Sequence, residues 1–482
     1  MQTTNTIQDN QIVHSSSPVI MSQNNVNNQQ TEINQILPNN QQITNTNANE
    51  KEEFHESPYR FVIVVVYFLL NFANGTQWVT FSSTADKFRQ VYNLHRMLVD
   101  LFSMIFMIEY PFACIPEGYI IDNYSMRLGL DLAAGFTILG SFLKIFTNHS
   151  IAWAYLGQIC SGSFQPAILN SPAKIASVWF KDNSRTLVTS ICCVANTIGV
   201  LFGYIFHTLF IDNDSYGQKY KDEFYDYVFW EFILVAILCV PTFFFIYSKP
   251  KEAVSYSQKD YKSPPLKESL KLLFHNKNFV KFLICSTCII GFFNIYGTIL
   301  NPYLALYDIS DDDASYAAAA ANGFGILSSL IVSVILDKSK AYRKTMVILN
   351  IFGLLFMIVL TVLLETVDSK PFIQAIVLFS CIIAFIVPIY TTGMDYVCEL
   401  TYPVGESISG GLIMCFNQLS GIIGILIADV LIHHCEEYRY LTNILAILMI
   451  AGSLVAVFFI EEKLLRNEKE NEHKKEIENN PK

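Results

Sequence analysis

Charge is scarce in this chain: Asp, Glu, Lys and Arg make up 15% of its 482 residues, against 52% hydrophobic and 14% aromatic. That balance is too apolar for a typical soluble enzyme of such length, and it points to a membrane protein. The formal net charge of -10 argues against a nucleic-acid partner, whose phosphates call for an excess of clustered Lys and Arg. Histidine is also sparse, and the histidines near apolar runs, His207, His433 and His434, stand toward the ends of those runs. Cysteine supplies no framework either. Cys114, Cys160, Cys192, Cys193, Cys239, Cys285, Cys288, Cys381, Cys398 and Cys415 lie in or beside apolar runs, where they read as small hydrophobes. Cys285 and Cys288 form a CxxC with no second pair or His at metal-ligand spacing, so neither a metal nor a cofactor is expected. No catalytic constellation of His, Cys, Ser or carboxylate falls inside the apolar runs, which argues against an enzyme. A basic region followed by a short apolar one is missing from the N-terminus, so no cleavable signal peptide is expected.

What the chain does contain is organised by hydropathy. Residues 1–55 are rich in Asn, Gln, Thr and Ser with few aromatics, a composition that cannot offset the entropy of ordering, and they read as a disordered tail. Twelve apolar runs follow, at about 60–82, 97–121, 128–147, 151–178, 186–211, 227–247, 280–307, 314–336, 345–365, 371–398, 407–433 and 439–461. Each is long enough to span a bilayer as a helix, the form in which lipid leaves no backbone group unsatisfied. The expected fold is therefore all-α, twelve membrane helices in two halves: 56–247, a linker 248–279, then 280–462 and a charged tail 463–482. Lys249, Lys251, Lys259, Lys262, Lys267, Lys271 and Lys277 load the linker, which places it and both termini in the cytoplasm by the positive-inside rule. Lys338, Lys340, Arg343 and Lys344 agree with that orientation. The opposite loops carry Lys144, Lys370, Arg439 and the acids Asp308, Asp311, Asp312 and Asp313, with Lys87, Arg89 and Arg96 as an exception. Asn148 (NHS) and Asn213 (NDS) are candidate glycosylation sites on those loops.

The first run raises a question of its own. FVIVVVYFLL, Phe61–Leu70, is half a crossing, and NFANGTQWVTFSS, Asn71–Ser83, then turns polar. A polar half-helix is tolerated where it lines a water-filled cavity, so this stretch is expected to form a cavity wall. Two loops also match each other across the halves. GYIIDNYSMRLG (Gly118–Gly129) and SVILDKSKAYRK (Ser333–Lys344) each put an Asp at a helix end with basic residues beyond it. The expected latch pairs Asp122 with Arg127, and Asp337 with Lys340 or Arg343; snorkelling loop charges are the plainer reading.

Six plus six spans joined by a basic link resemble the major facilitator superfamily, whose halves rock about a central site. SFQPAILNSPAKIASVWF (Ser163–Phe180), the polar first-span stretch and ELTYPVGESISGGLIMCFNQLSGI (Glu399–Ile422) are similar to the solute carrier 49 group, the feline leukaemia virus subgroup C receptor relatives. The resemblance implies a monomeric carrier of a small organic solute in the plasma membrane or an endomembrane. Choline and ethanolamine are the leading substrates, and haem is an alternative. It also implies a site. The family's first-span tryptophan falls on Trp78, with Gln77 beside it, and its glutamines fall on Gln165 and Gln418. An interfacial belt tryptophan and interhelical glue are the competing readings. A quaternary ammonium is held by aromatic faces, yet the seventh-span aromatic of choline-transporting members aligns with Asn294. Tyr296, two residues on, is rotated by roughly 200°, and it substitutes only if the helix breaks at Gly291, Gly297 or Pro302.

Glu109 in FMIEYPF departs from an otherwise apolar span. An acid there costs about 2.5 kcal/mol or more on insertion scales and is a functional candidate by default. It would attract a cation or carry a coupling proton, unless it is a neutral packed carboxyl. Glu399 and Glu406 bracket TYPVG and are read as part of the inner gate. The rival functions are a proton-coupled carrier of another small polar solute and a receptor that no longer transports. Haem is the less favoured substrate on axial ligation, because the histidines near the spans stand toward their ends.

Overall fold

The computed structural model describes residues 56–479 except 213, 256–257, 259–262, 306–310, 367–371 and 435–439. The expected tail 1–55, the sequon at Asn213, the linker's Lys259 and Lys262, and the loop charges Asp308, Lys370 and Arg439 lie outside the described residues. Among the described residues the regular structure is helical. The first half is built from α1 (Arg60–Trp78), α2 (Ala85–Val91), α3 (Arg96–Tyr119), α4 (Met126–Lys144), α5 (Ile151–Ser163), α6 (Gln165–Leu169), α7 (Pro172–Trp179), α8 (Arg185–Phe206) and α9 (Gly217–Phe245). A linker helix α10 (Leu266–His275) leads to α11 (Lys277–Ala305), α12 (Asp311–Ser339), α13 (Tyr342–Thr366), α14 (Phe372–Thr401), α15 (Glu406–His434) and α16 (Tyr440–Phe458). A last helix, α17 (Leu465–Asn479), occupies the charged tail.

Eleven described helices are long and apolar enough to cross a membrane, and the chain is a multi-pass integral membrane protein. The fourth expected span is the exception, because it is broken into α5, α6 and α7. Pro166 and Pro172 each remove a backbone donor, and the groups released by the break find partners on neighbouring helices. Glu117 Oε2 accepts from the Ala167 amide at 2.7 Å and the Tyr67 hydroxyl donates to the Ile168 carbonyl at 2.7 Å, while the Tyr110 hydroxyl fixes the Asn170 side chain at Oδ1, 2.6 Å away. The seventh span behaves oppositely: α11 continues unbroken through Gly291, Gly297 and Pro302, so the break that would have brought Tyr296 round does not occur.

Packing follows the small residues. A Cβ on Gly75 would stand 2.5 Å from the Asn196 carbonyl oxygen, so this glycine lets α1 and α8 approach backbone to backbone. Each half has its own apolar core, the first around Tyr67, Leu70, Leu130 and Cys239, the second around Phe279, Ile289, Met357 and Ile386. A smaller cluster joins them, with Tyr110, Cys114, Leu169 and Cys193 meeting Met394, Met414 and Cys415.

Candidate functional site

The polar half of α1 is not the water-facing wall its composition suggests. Asn71, Asn74, Thr76 and Gln77 are buried inside the first half. Asn71 Nδ2 donates to the Cys192 carbonyl at 2.9 Å and Asn74 Nδ2 to the Ser161 carbonyl at 3.1 Å. Gln165 Nε2 donates to Asn74 Oδ1 at 3.0 Å, which is the interhelical role. Gln77 is held by a residue expected on an outer loop: Lys144, fully buried, donates to Gln77 Oε1 at 2.6 Å and to Thr80 Oγ1 at 3.1 Å. The Thr80 hydroxyl in turn reaches Glu231 Oε1 at 2.8 Å. Neighbouring helical residues stand about 100° apart, so Trp78 leaves this network. It is half-buried, on the same face as Tyr67 three turns below, and its Nε1 donates to the Ser103 carbonyl of α3 at 3.1 Å.

In the second half Tyr296 is buried, with its hydroxyl 2.9 Å from Asn443 Oδ1 and its ring beside Phe292 and Phe379. It is turned into the core of that half and not toward the first. Asn294 is half-buried, packed where a Cβ on Gly421 of α15 would meet it. Gln418 is half-buried, while its neighbour Asn417 is buried and exchanges hydrogen bonds with Ser286. Glu109 is also half-buried, its Oε2 packed against Gly162 of α5 and lacking a hydrogen-bond partner. Asn148 is exposed, but its amide donates to the Lys221 carbonyl at 2.8 Å. The nitrogen a glycan would use is therefore engaged.

At the linker end the halves are pinned by a pseudo-symmetric pair of caps. Asp122, from the π-helical turn Ile120–Tyr124 that continues α3, accepts from the Ile408 and Ser407 amides at 2.9 and 3.3 Å at the start of α15. Asp337, from the end of α12, accepts from the Thr186 and Leu187 amides, both at 2.9 Å, at the start of α8. Each half thus places a carboxylate on a helix N-terminus of the other, where orphan donors and the helix dipole favour it. The expected loop pairings change accordingly. Asp122 pairs with Lys174 at 3.4 Å and not with Arg127, which holds Asp131 and the Phe243 carbonyl. Lys340 does approach Asp337, at 3.8 Å, but it is closer to Asp182 at 3.4 Å. The Arg343 guanidinium turns to the Phe458 carbonyl, and its main-chain amide donates to Glu462 Oε1. The shift has one physical cause. A buried carboxylate facing the other half's amides gains more than one pairing with a solvated loop cation on its own side.

Glu406 and Glu399 belong to the same end. Lys174 bridges Asp122 and Glu406, the latter at 3.0 Å, so a lysine inside SPAK ties the two halves, as Lys340 does through Asp182. Glu399 is bound by Arg466 of α17 at 2.6 Å, and the same guanidinium reaches Asp395 at 3.1 Å. Burial works against the charge on Arg466, but Glu399 and Asp395 outweigh it and raise the pKa of the guanidinium well above its ordinary value. Asp395 and Arg466 were not foreseen from the sequence. An isolated acid four residues before Glu399, on the same helix face, was the available signal.

The seam opens toward the opposite end. Residues 186, 190, 193, 197, 200 and 204 share one face of α8 by helical spacing. Thr186 and Ser190 are 0% exposed and Cys193 4%, with the Ser190 and Ser333 hydroxyls 2.6 Å apart across the seam. Thr197 and Val200 are half-buried, and Tyr204 is 44% exposed. The second half therefore covers this face at the linker end and stands away from it beyond.

Comparison with known proteins agrees with this architecture. The family model described as Major Facilitator Superfamily matches residues 64–407. The chain is 27% identical over 379 residues to the "Choline/ethanolamine transporter FLVCR1" of Felis catus, covering 76% of this chain and 67% of that one. It is 23% identical to "Solute carrier family 49 member A3" of Danio rerio, covering 77% and 78%. In three dimensions it is similar to the Major Facilitator Superfamily transporter FucP in the outward conformation, with a TM-score of 0.66, 13% identity and coverage of 84% and 100%. With two helical halves, a pinned seam and this family match over most of its length, the chain belongs to the Major Facilitator Superfamily, and its curated relatives are of the solute carrier 49 group.

Proposed function

We propose that this transporter is a facilitative carrier of a choline- or ethanolamine-type organic cation, working by alternating access, with the linker and both termini in the cytoplasm. One observation carries the reading: the seam between the halves is closed by ion pairs and helix caps at the linker end and opens at the other, the end at which α1 presents Trp78. A quaternary ammonium has no proton to donate, so an aromatic face is its natural contact, and relatives of this chain carry choline and ethanolamine in their names. Trp78 is assigned the cation-facing wall, and Asn294 and Gln418 the polar groups that orient a hydroxyl. Uptake of radiolabelled choline and ethanolamine by cells expressing the protein tests this directly. Uptake above empty cells, lost in Trp78→Ala at equal surface level, is the expected result. Uptake equal to empty cells, with the protein at the membrane, overturns it and directs the test to haem export.

A second reading rests on Glu109, whose Oε2 is buried without a partner. A proton on that oxygen would couple transport to pH. The external-pH profile of uptake is then expected to flatten in Glu109→Gln; identical profiles remove the coupling role.

A further inference from the structure

We infer that Arg466, which lies beyond the last membrane helix, is a gate residue: it holds the linker-side seam closed by fixing Asp395, the carboxylate through which the second half grips Thr186 of the first. The inference extends the alternating-access reading without depending on which solute is carried.

The chain of contacts is short and complete. Asp395 and Glu399 stand one turn apart on α14, and both are buried. Two carboxylates out of water on one helix face need a paired cation. Arg466, itself 2% exposed, supplies it: Nε donates to Glu399 Oε1 at 2.7 Å and Nη2 to Asp395 Oδ1 at 3.1 Å. The Asn467 amide adds a contact to Glu399 Oε2 at 3.1 Å, so the first turn of α17 is docked by main chain as well as side chain. With one oxygen held by the tail, Asp395 turns the other toward the seam. Oδ2 accepts from the Thr186 hydroxyl at 2.8 Å and from the Tyr342 hydroxyl at 2.7 Å. Thr186 belongs to the first half, and its backbone amide is capped by Asp337 of the second. Side chain and main chain of one residue are therefore gripped by two acids of the other half, one of them positioned from the tail. Lys340 and Arg185 also lie close enough to act on these acids electrostatically, yet their nearest contacts are to Asp182, Ser255 and Phe180. Arg466 is the cation whose donors reach both carboxylates.

A local packing role and a gating role make different predictions, which hydrogen exchange separates. The Thr186 and Leu187 amides, and the Ser407 and Ile408 amides at the second cap, report whether the halves are apart. Peptide-resolved exchange on the full chain in nanodiscs, with no solute added, is the measurement. Arg466→Gln is expected to speed exchange at both caps about tenfold, and Arg466→Lys, which keeps the charge, by less. Faster exchange confined to α17 and residues 395–401, with both caps at the wild-type rate, overturns the inference. Thr186→Val guards against misfolding of the Arg466 variants, since it cuts the same chain at its other end and leaves the tail docked. It should speed exchange at Leu187, Ser407 and Ile408 without loosening α17; wild-type protection there also overturns the inference. No substrate enters the assay, so its failure is distinct from failure of the choline reading.

Discussion

A lysine out of contact with water must use its donors on protein. Lys144 does so on two residues of the first span, Gln77 and Thr80, and Thr80 passes the connection to Glu231 of α9. Removing one member of such a set leaves the others buried and unpaired, which costs more than the set contributes when intact. Lys144→Met should therefore destabilise the detergent-solubilised protein by about 3 to 5 kcal/mol, seen as a lower midpoint in a thermal melt. Adding Glu231→Gln should recover part of that loss, because the second change removes the stranded charge. A double variant less stable than the single one would mean that the two residues act separately. This network was half legible in the sequence. Polarity at Gln77 was visible and its burial was not, since composition marks which residues leave the lipid but not whether they meet water or one another. Lys144 sits at the end of an apolar run, where a loop charge and a buried one read alike.

At the scale of the helix, the informative places are ends and breaks. The proline pair Pro166 and Pro172 was in plain view, but whether a span kinks or breaks depends on what receives the freed backbone groups. Here Glu117 and Tyr67, on other helices, receive the Ala167 amide and the Ile168 carbonyl. The paired caps are the same case. The sequence showed an acid at matching loops of each half and suggested pairing within the loop; the structure sends each acid to a helix start across the seam. Losing a charged cap costs about 1 to 2 kcal/mol. Asp337→Ala is therefore expected to shift the linker-side seam toward opening by roughly a factor of 10. Asp337→Asn, which can still accept from the Thr186 and Leu187 amides, should shift it less. Reactivity of a cysteine introduced at Ser190 toward a water-soluble maleimide reads the shift. Equal reactivity in all three backgrounds would show that the cap does not hold the seam.

For the whole molecule, hydropathy marked the membrane helices because lipid imposes helices on any apolar run of sufficient length. The seam is a different kind of object. Its contacts join residues 151 to 286 positions apart, as in Thr186–Asp337 (151), Ser407–Asp122 (285) and Ile408–Asp122 (286), and no local pattern encodes partners at that distance. What the seam does can still be tested with its geometry. If the halves must separate at the linker end in each transport cycle, a covalent tie there stops the cycle, whatever the solute. Ser190 and Ser333 face each other across the seam with hydroxyls 2.6 Å apart, a spacing two cysteine side chains can bridge with a modest adjustment. Ser190→Cys with Ser333→Cys should form a disulfide under a mild oxidant, which takes up the two electrons released as the thiols join. Uptake should then fall to background and return on reduction, while either single variant keeps transporting after oxidation. Full transport by the cross-linked protein, with the tie confirmed by mass spectrometry, would mean that solute crosses without the halves parting where Thr186, Asp337 and Asp395 now hold them together.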